Sequence, residues 1–246
     1  MYGFPSTVIG RLDSEASMIN GQSAGIDGDQ WAKIGNVPGL RCDPPQIPAD
    51  RGVCGCLILA HGAGAPMDSG FMEDMAQRLA GQGVGVVRFE FPYMAERRLN
   101  GGKRPPNPQK VLLESWRTVY EQVRRLAAGP LAIGGKSMGG RMASLLADEL
   151  GADALVCLGY PFYAVGKPEK PRVEHLAGLR TRTLIVQGER DALGNREAVE
   201  GYALSPAIEV SWLAAADHDL KPLKASGFSH EQHMQAAAER VARFLS

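Results

Sequence analysis

Near the middle of the 246-residue chain, Leu131 to Met142 reads LAIGGKSMGGRM: an apolar run, then Gly135-Lys136-Ser137-Met138-Gly139, then at once a helical pattern. A serine at such a strand-to-helix turn holds its hydroxyl exposed above a sheet, which makes Ser137 a candidate nucleophile. Gly135 and Gly139 fit this reading sterically, because a Cβ at either position would collide where strand and helix fold back around the serine. Glycine is abundant here, 30 of 246 residues, and a chance match to the spacing is expected roughly 0.2 times. The chain holds a second match, Gly21-Gln22-Ser23-Ala24-Gly25, with no apolar run before it and no helical pattern after it. Ser23 is therefore read as an ordinary loop residue.

A serine hydroxyl is a poor nucleophile at neutral pH and needs a base to take its proton and a carboxylate to orient that base. Of five histidines, His218 in Asp217-His218-Asp219 follows a predicted strand most directly. His230 and His233 fall in the first turn of a predicted last helix, where a solvated surface is expected, and His175 lies in a connecting segment. For the acid, Asp191 is favoured over Glu189, which sits closer to its strand and is turned elsewhere by side-chain alternation. Asp217 adjoins the histidine, and adjacent side chains rarely face one another. A tetrahedral oxyanion needs two backbone N–H donors. Met138 supplies one, and Ala63 in the His61-Gly62-Ala63-Gly64 turn is the best candidate for the other, with His61 bracing the turn. Gly-Lys-Ser also ends like a phosphate-binding loop, but the required upstream glycine falls at 129, one residue too far, and Leu131-Ala132-Ile133 has the character of buried strand.

Positioning these groups falls to an alternation of strand and helix that begins at Cys54 with CGCLILA. A helix from about Ser69 repeats Phe71, Met75 and Leu79. Val84 to Phe91 is the next strand, and a long helix follows with Leu112, Trp116, Val119, Val123 and Leu126 on one face. Further strands are expected at Leu131, Ala154 to Tyr160, Thr181 to Gln187 and Ile208 to Ala214, with helices after Ser137 and over Arg196 to Tyr202. The last helix opens at Ser229 with Gln232 three residues later, a capping box. Such alternation predicts an α/β protein with a doubly wound, mostly parallel sheet flanked by helices. In such sheets ligands bind beyond the carboxyl ends of the strands. His61 to Gly64, Arg97, Ser137, Tyr160, Asp191 and His218 all follow strand ends. Residues 1–50 form an N-terminal extension or edge strands, with short strand candidates at Ser6 to Leu12 and Val37 to Arg41; residues 51–246 form the main domain.

Composition narrows the partners. Lysine plus arginine and aspartate plus glutamate number 27 each, so no global charge draws the chain to nucleic acid or to an anionic membrane. No run of about 18 apolar residues and no basic-then-apolar leader is present, so a cytoplasmic protein is expected. Cys42, Cys54, Cys56 and Cys157 include no C-x-x-C pair and read mostly as buried thiols. The chemistry outlined needs neither metal nor organic cofactor, and a small-molecule partner follows.

From about Cys54 onward, the segments LILAHGAGAPMDSGFM, GGKSMGGRMAS, Gly159 to Glu169, VQGERDALG and ADHDLKP resemble the α/β-hydrolase superfamily. Within it the chain resembles a branch of bacterial dienelactone-hydrolase-like proteins related to a subunit of a eukaryotic histone acetyltransferase complex. The resemblance implies an α/β-hydrolase fold and puts nucleophile, acid and base on Ser137, Asp191 and His218. Dienelactone hydrolases proper carry cysteine where this chain has Ser137, so their substrate does not carry over. A serine hydrolase of carboxylesterase type, acting on a small-molecule ester, is the implied activity, and a noncatalytic interaction module is the alternative. Residues 161–180 are too short and proline-rich for a large lid, which predicts an open site with Tyr160, Phe162 and Tyr163 as candidate walls. The basic run Arg97 to Arg104 is expected to be a solvated loop, or else, through Arg97 and Arg98, to select acidic substrates.

Overall fold

The computed structural model describes residues 26–46 and 55–246. The Ser6 to Leu12 candidate, Ser23 and Cys54 lie outside them. Short β-branched and leucine-rich runs form β2 (Cys56–Ala60), β3 (Gly85–Phe89), β4 (Leu131–Lys136), β5 (Ala154–Leu158), β6 (Thr183–Gly188) and β7 (Ile208–Leu213). They lie parallel, and β1 (Leu40–Asp43) adds to β3 as an antiparallel edge. The order is β1-β3-β2-β4-β5-β6-β7. The expected strand at Val37 to Arg41 therefore starts later, because Val37 to Gly39 complete the turn that closes α1 (Gly28–Gly35).

Every residue of β2 through β6 is buried, as a parallel sheet covered on both faces requires. Alternation sorts these side chains into two cores. Ile58, Val87, Ile133 and Ile185 join one core with Ile34 of α1, Trp116 of α4 (Gln109–Leu126) and Met142 of α5 (Met138–Ser144). Leu57, Leu59, Val156 and Leu184 join the other, with Met75 of α2 (Gly70–Gly81) and Met234 of α8 (His230–Leu245). Burying a side chain such as Ile133 or Leu184 contributes about 1.5–3 kcal/mol. The Ser229–Gln232 capping box forms at the start of α8.

Three further elements differ from expectation. The segment after β3 is a helix, α3 (Pro92–Asn100), opened by a proline at its first position, so Arg97 to Asn100 are helical and only Gly101 to Arg104 of the basic run are loop. The helix after Ser137 is short and is succeeded by α6 (Ala147–Leu150). The helix after β6, α7 (Arg196–Glu200), ends two residues early.

The chain leaves β2 to one side for β3 and returns on the other side as β4, so the order reverses between β2 and β4. A crevice opens at such a switch point beyond the strand ends. Gly62 to Ala65 follow β2 and Ser137 follows β4, and both segments face that crevice.

Candidate active site

Ser137 sits between β4 and α5 with φ 51° and ψ −115°, a strained conformation for a residue with a Cβ. The strain is held by close packing. A Cβ on Gly139 would lie 2.5 Å from the Ala60 carbonyl, and one on Gly135 2.6 Å from the same oxygen. The turn is thus tight enough to lift the serine side chain out of the sheet and into the crevice.

The loops after β6 and β7 bring two partners to it. The His218 Nε2 is 2.8 Å from the Ser137 hydroxyl, and its Nδ1 is 2.7 Å from Asp191 Oδ2. A carboxylate only accepts, so Nδ1 carries the ring proton and Nε2 is free to accept from the serine. Asp191 is fully buried. Its Oδ2 also accepts from the Gln187 side-chain amide at 2.8 Å, and its Oδ1 accepts from the Leu193 N–H at 2.8 Å. Glu189 faces away, accepting from the Ala215 N–H and pairing with Arg196. Asp217 accepts from the backbone N–H groups of Asp219 and Lys221.

The turn after β2 is oriented from behind. The His61 Nε2 accepts from the Phe91 N–H at 3.1 Å and its Nδ1 donates to the Gly62 carbonyl at 2.7 Å, so both ring nitrogens are engaged. Burial lowers the His61 pKa and keeps the ring neutral. The Tyr93 hydroxyl donates to the Ala63 carbonyl at 2.9 Å and approaches that of Gly62 at 3.4 Å; burial pushes its pKa up to about 12, so it remains a donor. In a trans peptide C=O and N–H point in opposite directions. Anchoring the Gly62 carbonyl on His61 and Tyr93 therefore aims the Ala63 N–H away from them, toward the crevice that Ala63 lines with Ser137. The Met138 N–H, the first of α5, has no acceptor within its helix. Tyr93→Phe should leave the fold intact and loosen this turn; about a tenfold fall in kcat is expected, less than the 10²- to 10³-fold typical of deleting an oxyanion donor. Steady-state kinetics alongside a thermal melt would test it, and an unchanged kcat would deny the clamp.

The crevice itself holds about 300 Å³, walled by Phe71 and Met72 of α2 and by Lys136 and Asp219 beside the catalytic candidates. Tyr160 and Phe162 are not its walls. Both are completely buried, and Tyr163 is nearly so: after β5 the chain dives inward, Tyr160 and Phe162 stack edge to face, and the Tyr160 hydroxyl donates to the Arg172 carbonyl. Arg97 and Arg98 border a separate depression of about 240 Å³ with Pro66, Met94 and Gly102. Arg98 is already neutralised by Asp68 and Glu90, so it is not a free cation for substrate. His233 is buried and contacts the Leu220 carbonyl, whereas a solvated surface was expected of it; His230 stays accessible. A second serine–histidine contact, Ser144 to His175 at 2.8 Å, lies inside the fold with Ser144 buried in α5. There the hydroxyl also donates to the Arg141 carbonyl, and burial drops the His175 pKa to about 4.

Residues 161–180, between β5 and β6, contain a single bridge, Ala164 to Lys167, and one short 3-10 turn at Glu174–Gly178. Gln187, Tyr93 and Lys136 all contact the catalytic candidates or the turn beside them, yet were not expected there. Gln187 lies one residue before the end of β6, where a polar residue in an otherwise apolar run was a readable signal; for Tyr93 the sequence offered none.

This fold and crevice agree with the family comparison: the chain belongs to the family described as Alpha/beta hydrolase domain, whose profile matches residues 53–246. It is similar in structure to an α/β serine hydrolase without lid from Xanthomonas campestris, at 20% identity and a TM-score of 0.62 over 83% of this chain and 88% of that one. An esterase domain from a Rhodothermus marinus protein aligns at 17% identity and a TM-score of 0.58, covering 83% and 90%. A dienelactone hydrolase from Anabaena variabilis aligns at 18% identity and 0.59, covering 90% and 94%. At these identities the likeness is one of fold. Among the described residues no helix is long and apolar enough to cross a membrane.

Proposed function

We propose that the protein is a serine hydrolase of carboxylesterase type, cleaving an ester or related acyl bond of a small to medium substrate. The observation that carries this reading is the continuous relay from Ser137 through His218 to Asp191, with contacts of 2.8 and 2.7 Å. His218 takes the Ser137 proton as the hydroxyl oxygen attacks the acyl carbon. The oxyanion that forms is stabilised by the N–H groups of Ala63 and Met138. When the intermediate collapses, the bond to the leaving alkoxide breaks and His218 returns the proton to it, leaving acyl-Ser137. Water, deprotonated by the same imidazole, then releases the acid. Asp191 holds the tautomer and stabilises the transient imidazolium. The short connection over 161–180 and the small volume of the crevice favour compact acyl groups, and a lidless serine hydrolase and an esterase domain among similar folds support the ester-hydrolase reading. The proposal includes residues 51–246 as the catalytic unit.

A fluorophosphonate probe tests it directly. Wild type should be labelled and should hydrolyse p-nitrophenyl acetate; Ser137→Ala should lose both, and Ser144→Ala should keep both, because Ser144 has no carboxylate-backed base. Labelling that survives Ser137→Ala would refute the assignment. A wild-type protein that takes no label would favour a noncatalytic interaction module.

A further inference from the structure

Lys136 is the residue before the nucleophile, and its ammonium is buried at the floor of the crevice. Alternation along β4 turns it, like Ala132, toward the α2 and α8 side. A methionine or leucine there would pack against Phe71 and Met72 without the penalty of taking a charge out of water. The ammonium instead donates to the His218 carbonyl at 2.7 Å and meets Asp219 Oδ1 at 3.1 Å. It also sits 5.3 Å from the centre of the Phe71 ring. Burial lowers its pKa and Asp219 opposes that shift.

The loop it grips is strained. Ala215 and Leu220, on either side of His218, have φ of 53° and 60°, a left-handed conformation that crowds the Cβ against the backbone. Among the described residues, the only hydrogen bond to the His218 backbone comes from Lys136. Space has been cleared for this contact: a Cβ on Gly159 would lie 2.8 Å from the His218 carbonyl and 3.3 Å from the Lys136 ammonium.

We propose that Lys136 is a positioning residue that sets the distance between nucleophile and base. Its backbone delivers Ser137, and its side chain ties the His218 loop to the same strand end, so one residue gauges the 2.8 Å contact. The inference rests on the hydrolase reading above and adds to it a dedicated device for aligning the pair.

Lys136→Met keeps the bulk and removes the donor. A misplacement of about 1 Å between reacting groups costs about 10²-fold, so kcat for p-nitrophenyl acetate should fall on the order of 10²-fold, with KM within about threefold and slower fluorophosphonate labelling. Lys136→Arg, which still donates, should recover at least about tenfold of that loss. A purely structural role would lower the melting temperature and leave kcat in the folded protein unchanged, and that result overturns the inference. Should Lys136→Met not fold, Asp219→Asn decides, since that side chain is 70% exposed. It weakens the ammonium's second anchor and should lower kcat about three- to tenfold at unchanged KM; wild-type kcat would overturn the inference. Wild-type protein lacking Ser137-dependent turnover would instead defeat the hydrolase reading itself.

Discussion

Replacing His218 by alanine should reduce kcat on the order of 10⁶-fold, and adding Ser137→Ala to it should reduce kcat hardly further, because the proposed nucleophile and its base would act as a unit. The reason is geometric. At 2.8 Å the imidazole nitrogen is the acceptor of the Ser137 proton, and without it the hydroxyl must lose that proton to water at neutral pH. Other buried or half-buried imidazoles cannot substitute: His61 has both nitrogens committed behind the turn, His175 is engaged with Ser144 inside the fold, and His233 is buried against the Leu220 carbonyl. The residual rate in both variants should be similar, since the Ala63 and Met138 amides and the crevice walls are untouched. Progress curves with p-nitrophenyl acetate, corrected for spontaneous hydrolysis, measure this. If His218→Ala retained a hundredth of wild-type kcat, some other group would have to be the base.

What the sequence could disclose follows from how local each determinant is. The turn at Ser137 is written in five consecutive residues, and its glycines answer to contacts with Ala60 just across the strand pair. Asp191 and His218 were legible because each directly follows a strand, and a parallel sheet gathers such ends at one edge. The walls of the crevice were not legible. Tyr160 and Phe162 also follow a strand, but whether the chain there turns outward or dives inward depends on Gln187, which bonds both the N–H and the carbonyl of Tyr160 from 27 residues away. The pairing of the basic run after β3 was hidden because it depends on how α3 folds back: Arg98 finds Asp68 30 residues back and Glu90, just past the end of β3, eight residues back. His233 looked solvated because the pattern of α8 does not reveal that the Leu220 loop folds over the first turn. Lys136 was visible as a residue and opaque as a role, since the carbonyl it holds lies 82 positions along the chain.

Asp191→Asn should lower kcat about 10⁴-fold while leaving the protein folded, through the tautomer of His218. The buried carboxylate accepts three hydrogen bonds: Oδ1 from the Leu193 N–H, and Oδ2 from both Gln187 and His218. An asparagine cannot reproduce this set. If its oxygen stays on Leu193, its NH₂ faces two donors, the Gln187 amide and the His218 Nδ1–H. His218 relieves the clash by moving its proton to Nε2, which then points a donor at Ser137 and can no longer accept. If the asparagine flips, its NH₂ confronts the Leu193 N–H and one buried donor loses its acceptor, at a cost of about 1–3 kcal/mol. Both arrangements predict some loss of thermal stability, and only the first removes the base. Kinetics and a thermal melt on the same preparation separate them: a folded Asp191→Asn protein with a tenth or more of wild-type kcat would show that the asparagine has flipped and that the imidazole needs an acceptor at Nδ1 but not the carboxylate charge.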